Sequence, residues 1–235
     1  MPFQGRVAVV TGGKGALGSV LVRFFQGEGA AVAVPYRGTG DPSSQELHFA
    51  AERTFLRQAD LSSEKSVHAF FREVEAHLGP VDFLVNGAGG YVGGSPVEDV
   101  TLEEWEEMME SNLKSAFLTC KSVLSRMKER RCGRIINIAA MAALSPLSGR
   151  APYAISKRGV ITLTETIAAE VKGTGVTANA IAPSIILTES NRASMPDAEI
   201  SKWVRPEEIA KLVGYLCSDD ARSISGNVIK IYGGI

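Results

Sequence analysis

The stretch RVAVVTGGKGALG, residues 6–18, carries the strongest indication of the fold of this chain. It begins with an unbroken apolar run, which is typical of a strand covered by helices on both faces of a parallel sheet. Gly13, Gly15 and Gly18 follow at the spacing GxGxxG, and a helical pattern comes directly after them. Glycines let the backbone turn tightly and approach a phosphate, and the free N–H groups of the helix point at the same place. The stretch therefore predicts a strand, a turn and a helix with a phosphate site at the turn, although a tight turn without a ligand has the same pattern.

Similar apolar runs recur along the chain and alternate with helical patterns. The predicted strands occupy residues 6–11, 31–36, 54–58, 81–85, 133–139, 176–182 and 227–231. The predicted helices occupy residues 17–28, 43–52, 63–78, 101–128, 151–172 and 206–218. Because β-α-β crossovers are right-handed, this alternation predicts an α/β fold: a single Rossmann-type, doubly wound parallel sheet of about seven strands with helices on both faces. No linker-like composition divides the chain, so we expect one domain over residues 1–235.

The composition limits the classes of function. Apolar residues make up 45% of the chain and charged residues 22%, as in ordinary globular domains. A net charge of −1 argues against nucleic-acid or membrane-surface partners, and no apolar run approaches the roughly 20 residues of a bilayer span. The 3 cysteines are widely spaced, so we expect neither a disulfide framework nor a metal site, and we expect a reduced, cytoplasmic protein.

Ligands of such sheets bind outside the carboxyl ends of the strands, and several candidate cofactor residues follow these ends. An NAD site usually has an acidic residue after the second strand, where this chain has Tyr36 and Arg37. An arginine can bind a ribose 2′-phosphate through charge-assisted hydrogen bonds, and Lys14 would add a second positive charge. The sequence therefore favours NADP(H) over NAD(H), and the alternative for Arg37 is a solvated cation of the loop.

The ends of the third and fourth strands complete the predicted cofactor site. Asp60 either reads an adenine edge or caps the next helix. Small residues after the fourth strand would let the backbone pass beside a flat ligand, or would form a bare turn. The candidate cofactor-binding residues in this half of the chain are Thr11, Gly12, Lys14, Gly15, Ala16, Leu17, Gly18, Tyr36, Arg37, Asp60, Leu61, Asn86, Gly87, Ala88 and Gly89.

Tyr153 and Lys157 are the candidate catalytic pair. Their i, i+4 spacing places them on one face of the predicted helix 151–172. An ammonium beside a phenol stabilises the phenolate, so we expect Lys157 to lower the pKa of Tyr153 from its usual value of about 10. Tyr153 would then pass a proton to a substrate heteroatom while a nicotinamide delivers a hydride.

Taken together, these motifs resemble the short-chain dehydrogenase/reductase family over nearly the whole chain. The resemblance is carried by TGGKGALG, Asp60-Leu61, the NGAG sequence, Asn112 within SNLKS, Tyr153-x₃-Lys157 and IAPSIILT. It implies that Asn112 is a third catalytic residue, which holds a water of the proton relay, and that Lys157 also binds the nicotinamide ribose. It further implies contacts with the carboxamide from the segment that contains Pro183, Ser184, Ile186 and Thr188.

The family also commonly pairs two long helices between subunits. The predicted helices 101–128 and 151–172 carry apolar residues on more than one face. We therefore expect a homodimer or homotetramer that acts on a small-molecule substrate.

The main departure from the family pattern is Ala140, which stands where the family has its catalytic serine, 13 residues before Tyr153. That hydroxyl positions the substrate carbonyl, and the loss of one such donor typically costs about 10²–10³ in rate. Ser145 or Ser148 on the following loop would be the substitute. A dinucleotide-binding sensor or scaffold without redox turnover is the alternative that Ala140 favours.

A narrower resemblance, to quinonoid dihydropteridine reductases, explains the missing serine, since that branch lacks it as well. It is carried by GGKGALGS, by AGGYVGG with Tyr91, by AMAAL and by the substrate segment at about 188–205 with Trp203. A conjugated diimine develops less charge on one oxygen than a ketone does, and Tyr91 or Trp203 would stack on the flat ring. This likeness makes a quinonoid dihydropteridine the first substrate hypothesis, with Tyr91, Ala140, Ser145 and Trp203 as substrate residues; a carbonyl such as a 3-oxoacyl thioester is the alternative.

Overall fold

Seven parallel strands form one sheet in the computed structural model, which describes residues 1–38 and 51–235. The strands are β1 Val7–Thr11, β2 Ala31–Tyr36, β3 Thr54–Gln58, β4 Phe83–Asn86, β5 Gly133–Ile138, β6 Val176–Pro183 and β7 Val228–Ile231. Their order is β3-β2-β1-β4-β5-β6-β7, and every neighbouring pair is parallel. The order reverses between β1 and β4, which opens a crevice at the carboxyl ends of these strands. The predicted Rossmann-type sheet is confirmed.

Helices cover both faces of the sheet. They are α1 Ala16–Gly27, α2 Glu64–Leu78, α3 Leu102–Met108, α4 Ser115–Arg130, α5 Ala151–Glu170, α6 Glu189–Ser194 and α7 Pro206–Cys217. Of the predicted helix 43–52, the part up to residue 50 lies outside the described residues, and Ala51–Arg53 form a 3₁₀ turn. Ala8 and Val10 of β1 pack under α1 and α7, whereas Val7 and Val9 pack under α2 and α4. Because successive strand residues face opposite sides, burial of both faces explains the unbroken apolar run.

The predicted helix 101–128 is interrupted. After α3, residues Met109–Lys114 form a π-helical turn before α4 begins. Thr101 starts α3 with a capping box, because its hydroxyl accepts from the N–H of Glu104 and the Glu104 carboxylate accepts from the N–H of Thr101. The π turn contains Asn112, which is only 1% exposed. Such turns recur at functional sites, where they re-aim a side chain out of the regular helical register.

Several apolar residues of the two long predicted helices belong to the core. Val123 of α4 and Ile161 and Ile167 of α5 are buried within the chain, so they need no partner subunit. Phe117 of α4 is 47% exposed and does present an apolar ring on the surface. None of the helices in the described ranges is both long and apolar enough to cross a bilayer.

Candidate active site

The turn after β1 brings the start of α1 close to the loop after β4. Gly12 adopts φ +69°, and a Cβ at this position would lie 2.9 Å from the backbone of Ala88. A Cβ on Gly18 would overlap the carbonyl oxygen of Gly12, so only glycine lets the helix start so close to the turn. Gly15 caps α1 without a side-chain hydrogen bond, which leaves the first N–H groups of the helix facing the crevice.

One half of the crevice, here the outer cavity, has a volume of about 550 Å³ and follows β1, β2 and β3. Its lining is Gly12, Lys14, Gly15, Pro35, Tyr36, Arg37, Ala59, Asp60, Leu61, Ser62, Ala88, Gly89, Gly90, Glu107, Glu110, Ser111 and Ser115. The Lys14 ammonium lies 4.9 Å from the centroid of the Tyr36 ring. Arg37 is exposed on the same wall.

Asp60 stabilises the loop that follows β3. Its carboxylate accepts hydrogen bonds from the N–H of Ser62 at 2.9 Å and from the Ser62 hydroxyl at 2.8 Å. These bonds lower the pKa of Asp60, and the nearby Arg37 adds to the effect. Ser63 rather than Asp60 caps α2, since its hydroxyl accepts from the N–H of Ser66. The helix-cap interpretation of Asp60 is therefore wrong, and its carboxylate lines the outer cavity.

The other half, the inner cavity, has a volume of about 610 Å³ and follows β4, β5 and β6. Its lining is Leu17, Gly87, Gly89, Gly90, Tyr91, Ile138, Ala139, Ala140, Met141, Ala142, Arg150, Tyr153, Lys157, Pro183, Ser184, Ile185, Ile186, Asn191, Ser194 and Met195. The two cavities share Gly89 and Gly90. They therefore form one groove across the carboxyl edge of the sheet.

Lys157 is almost fully buried beneath the inner cavity. Its Nζ donates a hydrogen bond to the carbonyl oxygen of Ile138 at 3.0 Å. Burial lowers the pKa of Lys157 to about 8, because the ammonium loses its hydration. The end of β5 and the first turns of α5 are joined by this bond.

Asn112 acts on the loop after β4. Its Oδ1 accepts from the N–H of Gly90 at 3.0 Å, and its Nδ2 donates to the Gly90 carbonyl at 3.2 Å and to the Ser156 hydroxyl at 3.1 Å. A Cβ on Gly89 would overlap the Asn112 amide and lie 3.2 Å from the Lys157 Nζ. Asn112 thus holds the Gly89–Gly90 turn against α5 and is absent from the lining of both cavities.

Tyr153 faces the inner cavity as a protonated phenol. Burial raises the pKa of Tyr153 to about 12, Tyr91 raises it further, and Arg150 opposes these effects. The Tyr91 ring packs edge-on against the Tyr153 ring, with 5.0 Å between the centroids. The lowered pKa expected from Lys157 is therefore wrong for the protein alone, because desolvation is the largest effect on the phenol and the charge that opposes it is that of Arg150. A phenol with this pKa keeps its proton at neutral pH and suits an acid.

Several predicted cofactor residues support the groove without lining it. The Thr11 hydroxyl accepts from the N–H of Ala88 at 3.0 Å. The Asn86 amide is buried and bonds to Asn137 and Thr119, both at 2.8 Å. The Thr188 hydroxyl accepts from the first turn of α6. Ala16 and Gly18 also lie outside the lining of both cavities.

Two of the four predicted substrate residues lie elsewhere. Trp203 is only 5% exposed and does not line the inner cavity, so the expected stacking by this ring is wrong. Ser145 and Ser148 are exposed on the loop beyond the 3₁₀ turn Met141–Ala143, and neither lines the inner cavity. Neither serine replaces the missing hydroxyl, and a methyl group of Ala140 lines the cavity at that position.

Several residues that line the cavities are not among those predicted from the sequence. Arg150 lies 3 residues before Tyr153, and the same-face spacing that paired Tyr153 with Lys157 also includes it. Asn191, Ser194 and Met195 reach the inner cavity from α6 and its end, whose position depends on the bridge between Ile186 and Val204. Glu107 and Glu110 line the outer cavity through the interrupted α3–α4 segment.

Comparison with known proteins agrees with this geometry. The family model described as short chain dehydrogenase matches residues 6–199. The chain belongs to this family. Members of the family use NAD(P)H, and the chain is an NAD(P)H-dependent short-chain reductase.

Curated relatives of the same family match the chain along almost its full length. An acetoacetyl-CoA reductase of Shinella zoogloeoides is 34% identical over 239 residues, which cover 97% of this chain and 98% of the relative. A 3-oxoacyl-[acyl-carrier-protein] reductase of Salmonella typhimurium is 30% identical over 243 residues, covering 100% and 99%. Nodulation protein G of Azospirillum brasilense is 33% identical over 241 residues, covering 98% of each chain. These relatives give no support to the narrower likeness to dihydropteridine reductases and match the carbonyl-reductase alternative.

Proposed function

We propose that this short-chain reductase uses NADPH to reduce the carbonyl group of a small 3-oxoacyl-type substrate. The observation that carries the proposal is the meeting of Tyr153, Lys157 and the end of β5 in a cavity that continues into the glycine turn. An acid, a cation and a phosphate-sized cradle in one groove are what hydride transfer to a carbonyl needs.

The residues present fit a nicotinamide dinucleotide. The glycine turn leaves space that a Cβ at Gly12 or Gly18 would fill, and the free N–H groups of α1 face this space. Lys14 and Arg37 line the outer cavity, and Tyr36 stands where an acidic residue would repel a 2′-phosphate. These charges support NADPH over NADH.

Acidic side chains also reach the outer cavity, and two of them already have partners. The Asp60 carboxylate accepts two hydrogen bonds from Ser62, and Glu110 pairs with Lys114 at 3.1 Å. Neither directly follows β2, where a ribose 2′-hydroxyl is read in NAD sites. Arg37 and Lys14 therefore remain the groups that favour a phosphate there.

The residues around the inner cavity would have separate roles in the reduction of the carbonyl. The coenzyme supplies the hydride for the substrate carbonyl carbon. Tyr153 donates its phenolic proton to the carbonyl oxygen, and its raised pKa keeps that proton available at neutral pH. Lys157 places a positive charge under the site while its Nζ stays bonded to the carbonyl of Ile138. Asn112 acts indirectly, because its amide holds the Gly89–Gly90 turn in place.

The printed names of the relatives support a 3-oxoacyl substrate. One is named for acetoacetyl-CoA and another for a 3-oxoacyl group on a carrier protein. The inner cavity also fits a carbonyl, because its aromatic lining is Tyr91 and Tyr153, and Trp203 is buried away from it. A pterin would have only one exposed ring, Tyr91, to stack on.

A substrate panel tests the proposal. Purified protein should oxidise NADPH faster than NADH with an acetoacetyl thioester, and quinonoid dihydropterin should give little turnover. Turnover with the pterin alone would reverse the substrate assignment. If the protein reduced none of the carbonyl compounds with either NADPH or NADH, the proposed function would be contradicted.

Ala140 favours one second candidate, a dinucleotide-binding sensor with little turnover. Its methyl group lines the cavity where the family serine would donate a hydrogen bond. In that case the protein would bind NADPH tightly but reduce none of the carbonyls in the panel. The retained Tyr153 and Lys157 support turnover instead.

We also propose a symmetric homodimer or homotetramer and a cytoplasmic location. The support for assembly is apolar surface on α4 and α5, where Phe117 and Ile155 are 47% and 48% exposed. Light scattering should give two or four times the chain mass of 25.0 kDa. A monomeric mass would contradict the assembly.

A further inference from the structure

Arg150 lies at the wall of the inner cavity, one helical turn before Tyr153. It caps α5, and its carbonyl oxygen accepts the N–H of Ala154 at 2.8 Å. This bond fixes the backbone of Arg150 relative to the first turn of α5. The side chain is half-buried and lines the same cavity as Tyr153 and Ala140.

The ring of Tyr91 lies beside the guanidinium of Arg150. The Arg150 Cζ lies 5.8 Å from the centroid of the Tyr91 ring, which is within cation–π range. The same Tyr91 ring packs edge-on against the Tyr153 ring, with 5.0 Å between the two ring centroids. Arg150, Tyr91 and Tyr153 therefore form a row along one wall.

The guanidinium has hydrogen-bonding capacity that the protein does not use. Within residues 1–38 and 51–235, Arg150 forms no ion pair and its side chain donates no hydrogen bond. Three polar lining side chains differ in this respect: Ser184, just after β6, donates to the carbonyl of Tyr232, Asn191 to that of Ile186, and Ser194 to that of Asn191. A planar fork of N–H donors that faces a cavity is suited to a carboxylate.

The rest of the inner cavity leaves this charge uncompensated. Among the residues that the structure describes, its lining includes no aspartate or glutamate. The other cation in this described lining, Lys157, donates a hydrogen bond to the Ile138 carbonyl. The end of β5 and the following 3₁₀ turn contribute the apolar residues Ile138, Ala139, Ala140, Met141 and Ala142 to the lining. A negative group on the substrate would supply the missing partner.

We propose that Arg150 binds a carboxylate carried by the substrate, so that the protein prefers small 3-oxo acids to neutral ketones. This inference rests on the proposed function and names its substrate class more narrowly. In the reaction the carbonyl carbon gains the hydride of NADPH and the carbonyl oxygen gains the proton of Tyr153. The coenzyme is oxidised, the carbonyl becomes a hydroxyl, and the carboxylate held by Arg150 is unchanged.

Acetoacetate and methyl acetoacetate are the probes, because they present the same ketone with and without a charge. For the wild-type protein we expect kcat/KM to be at least about tenfold higher for acetoacetate. The Arg150→Gln change should lower kcat/KM for acetoacetate about 10- to 100-fold, mainly through KM, and change the value for the ester less than about threefold. Arg150→Lys should keep part of the preference, since it retains the charge but not the fork. Arg158→Gln, an exposed arginine on the same helix that lines neither cavity, is the matched control and should change neither value.

Other outcomes overturn the inference. An equal fall of kcat for both probes in Arg150→Gln would make Arg150 a donor to the reacting oxygen. Equal kcat/KM values in the wild-type protein would refute the carboxylate without any variant, even if Arg150→Gln failed to fold. Reduction of the ester without preference for the acid leaves the proposed function intact, whereas no reduction of either probe, or of the acetoacetyl thioester, removes both.

Discussion

The outer and inner cavities have similar volumes, about 550 and 610 Å³, but their linings differ in chemistry. Arg37, Asp60, Glu107 and Glu110 line the outer cavity as exposed side chains. Apolar and small residues make up most of the lining of the inner cavity, together with Tyr91, Arg150 and Tyr153, and Lys157 is buried under it. Both lie on the same edge of one sheet, so the difference comes from the side chains and not from the fold.

Burial determines how strongly the charged and titratable groups of each cavity interact with their surroundings. Charges of the outer cavity stand in water, where screening keeps each contribution modest. In the inner cavity desolvation moves the pKa of Lys157 down and that of Tyr153 up. Changes in the inner cavity should therefore have larger effects on rate than changes in the outer cavity have on binding.

The largest effect is expected at Tyr153. Tyr153→Phe removes the proton donor but keeps the ring that packs against Tyr91, so kcat for carbonyl reduction should fall about 10³-fold. NADPH affinity, measured by fluorescence titration, should change little. A variant that retains more than about a tenth of the wild-type kcat would show that another group supplies the proton.

The pH dependence should report the buried ammonium. Lys157 has a pKa lowered to about 8, so its charge is present below pH 8 and lost above it, whereas Tyr153 stays protonated to about pH 12. We expect kcat/KM for reduction to be constant below pH 8 and to fall roughly tenfold per pH unit above it, to about a hundredth at pH 10. In Lys157→Arg the fall should move to higher pH, since the guanidinium keeps its proton. A flat wild-type profile up to pH 10 would sink this assignment.

A smaller effect is expected in the outer cavity. Arg37→Ala should weaken NADPH binding about 10-fold, because one charge-assisted contact in water is lost, and NADH binding should change less than about twofold. Lys14→Ala tests the second cation of the same wall. Equal weakening of both nucleotides would refute the role of Arg37 in reading a 2′-phosphate.

The smallest effect is expected from restoring the family serine. Ala140→Ser should raise the reduction of methyl acetoacetate only several-fold, because the inner cavity already works with Tyr153 and Lys157. Acetoacetate should gain less than the ester if Arg150 already holds its carboxylate. A gain above about 100-fold would match the full worth of such a donor and would favour the catalytically weak sensor over a working reductase.

Local patterns were sufficient for the sheet and for the outer cavity. The apolar run of β1, the glycine turn and the start of α1 are adjacent in the chain, so their arrangement follows from residues within about 20 positions of one another. Tyr36, Arg37 and Asp60 follow strand ends, and the topology alone places strand ends on one edge. The roles assigned to these residues stay predictions.

The inner cavity shows where local patterns fail. Trp203 is predicted as a stacking ring but is buried, and its neighbour Val204 forms a bridge with Ile186, a contact that local patterns do not predict. The π turn that holds Asn112 appears within an otherwise regular helical pattern. The spacing of Arg150 and Tyr153 in the sequence is that of residues on one helix face. The position of the guanidinium, however, follows from its contact with the Tyr91 ring, which the sequence does not show.

The amino-acid sequence by itself determined the family, the parallel sheet, and the pairing of a phenol with an amine on one helix, because these depend on short-range periodicity and spacing. Only the tertiary structure decided the protonation of that pair and the charge of the cavity around it. The Lys157 ammonium donates a hydrogen bond to the Ile138 carbonyl, which is 19 positions away along the chain. Desolvation depends on every atom that surrounds a group, and those atoms come from segments that are distant in sequence.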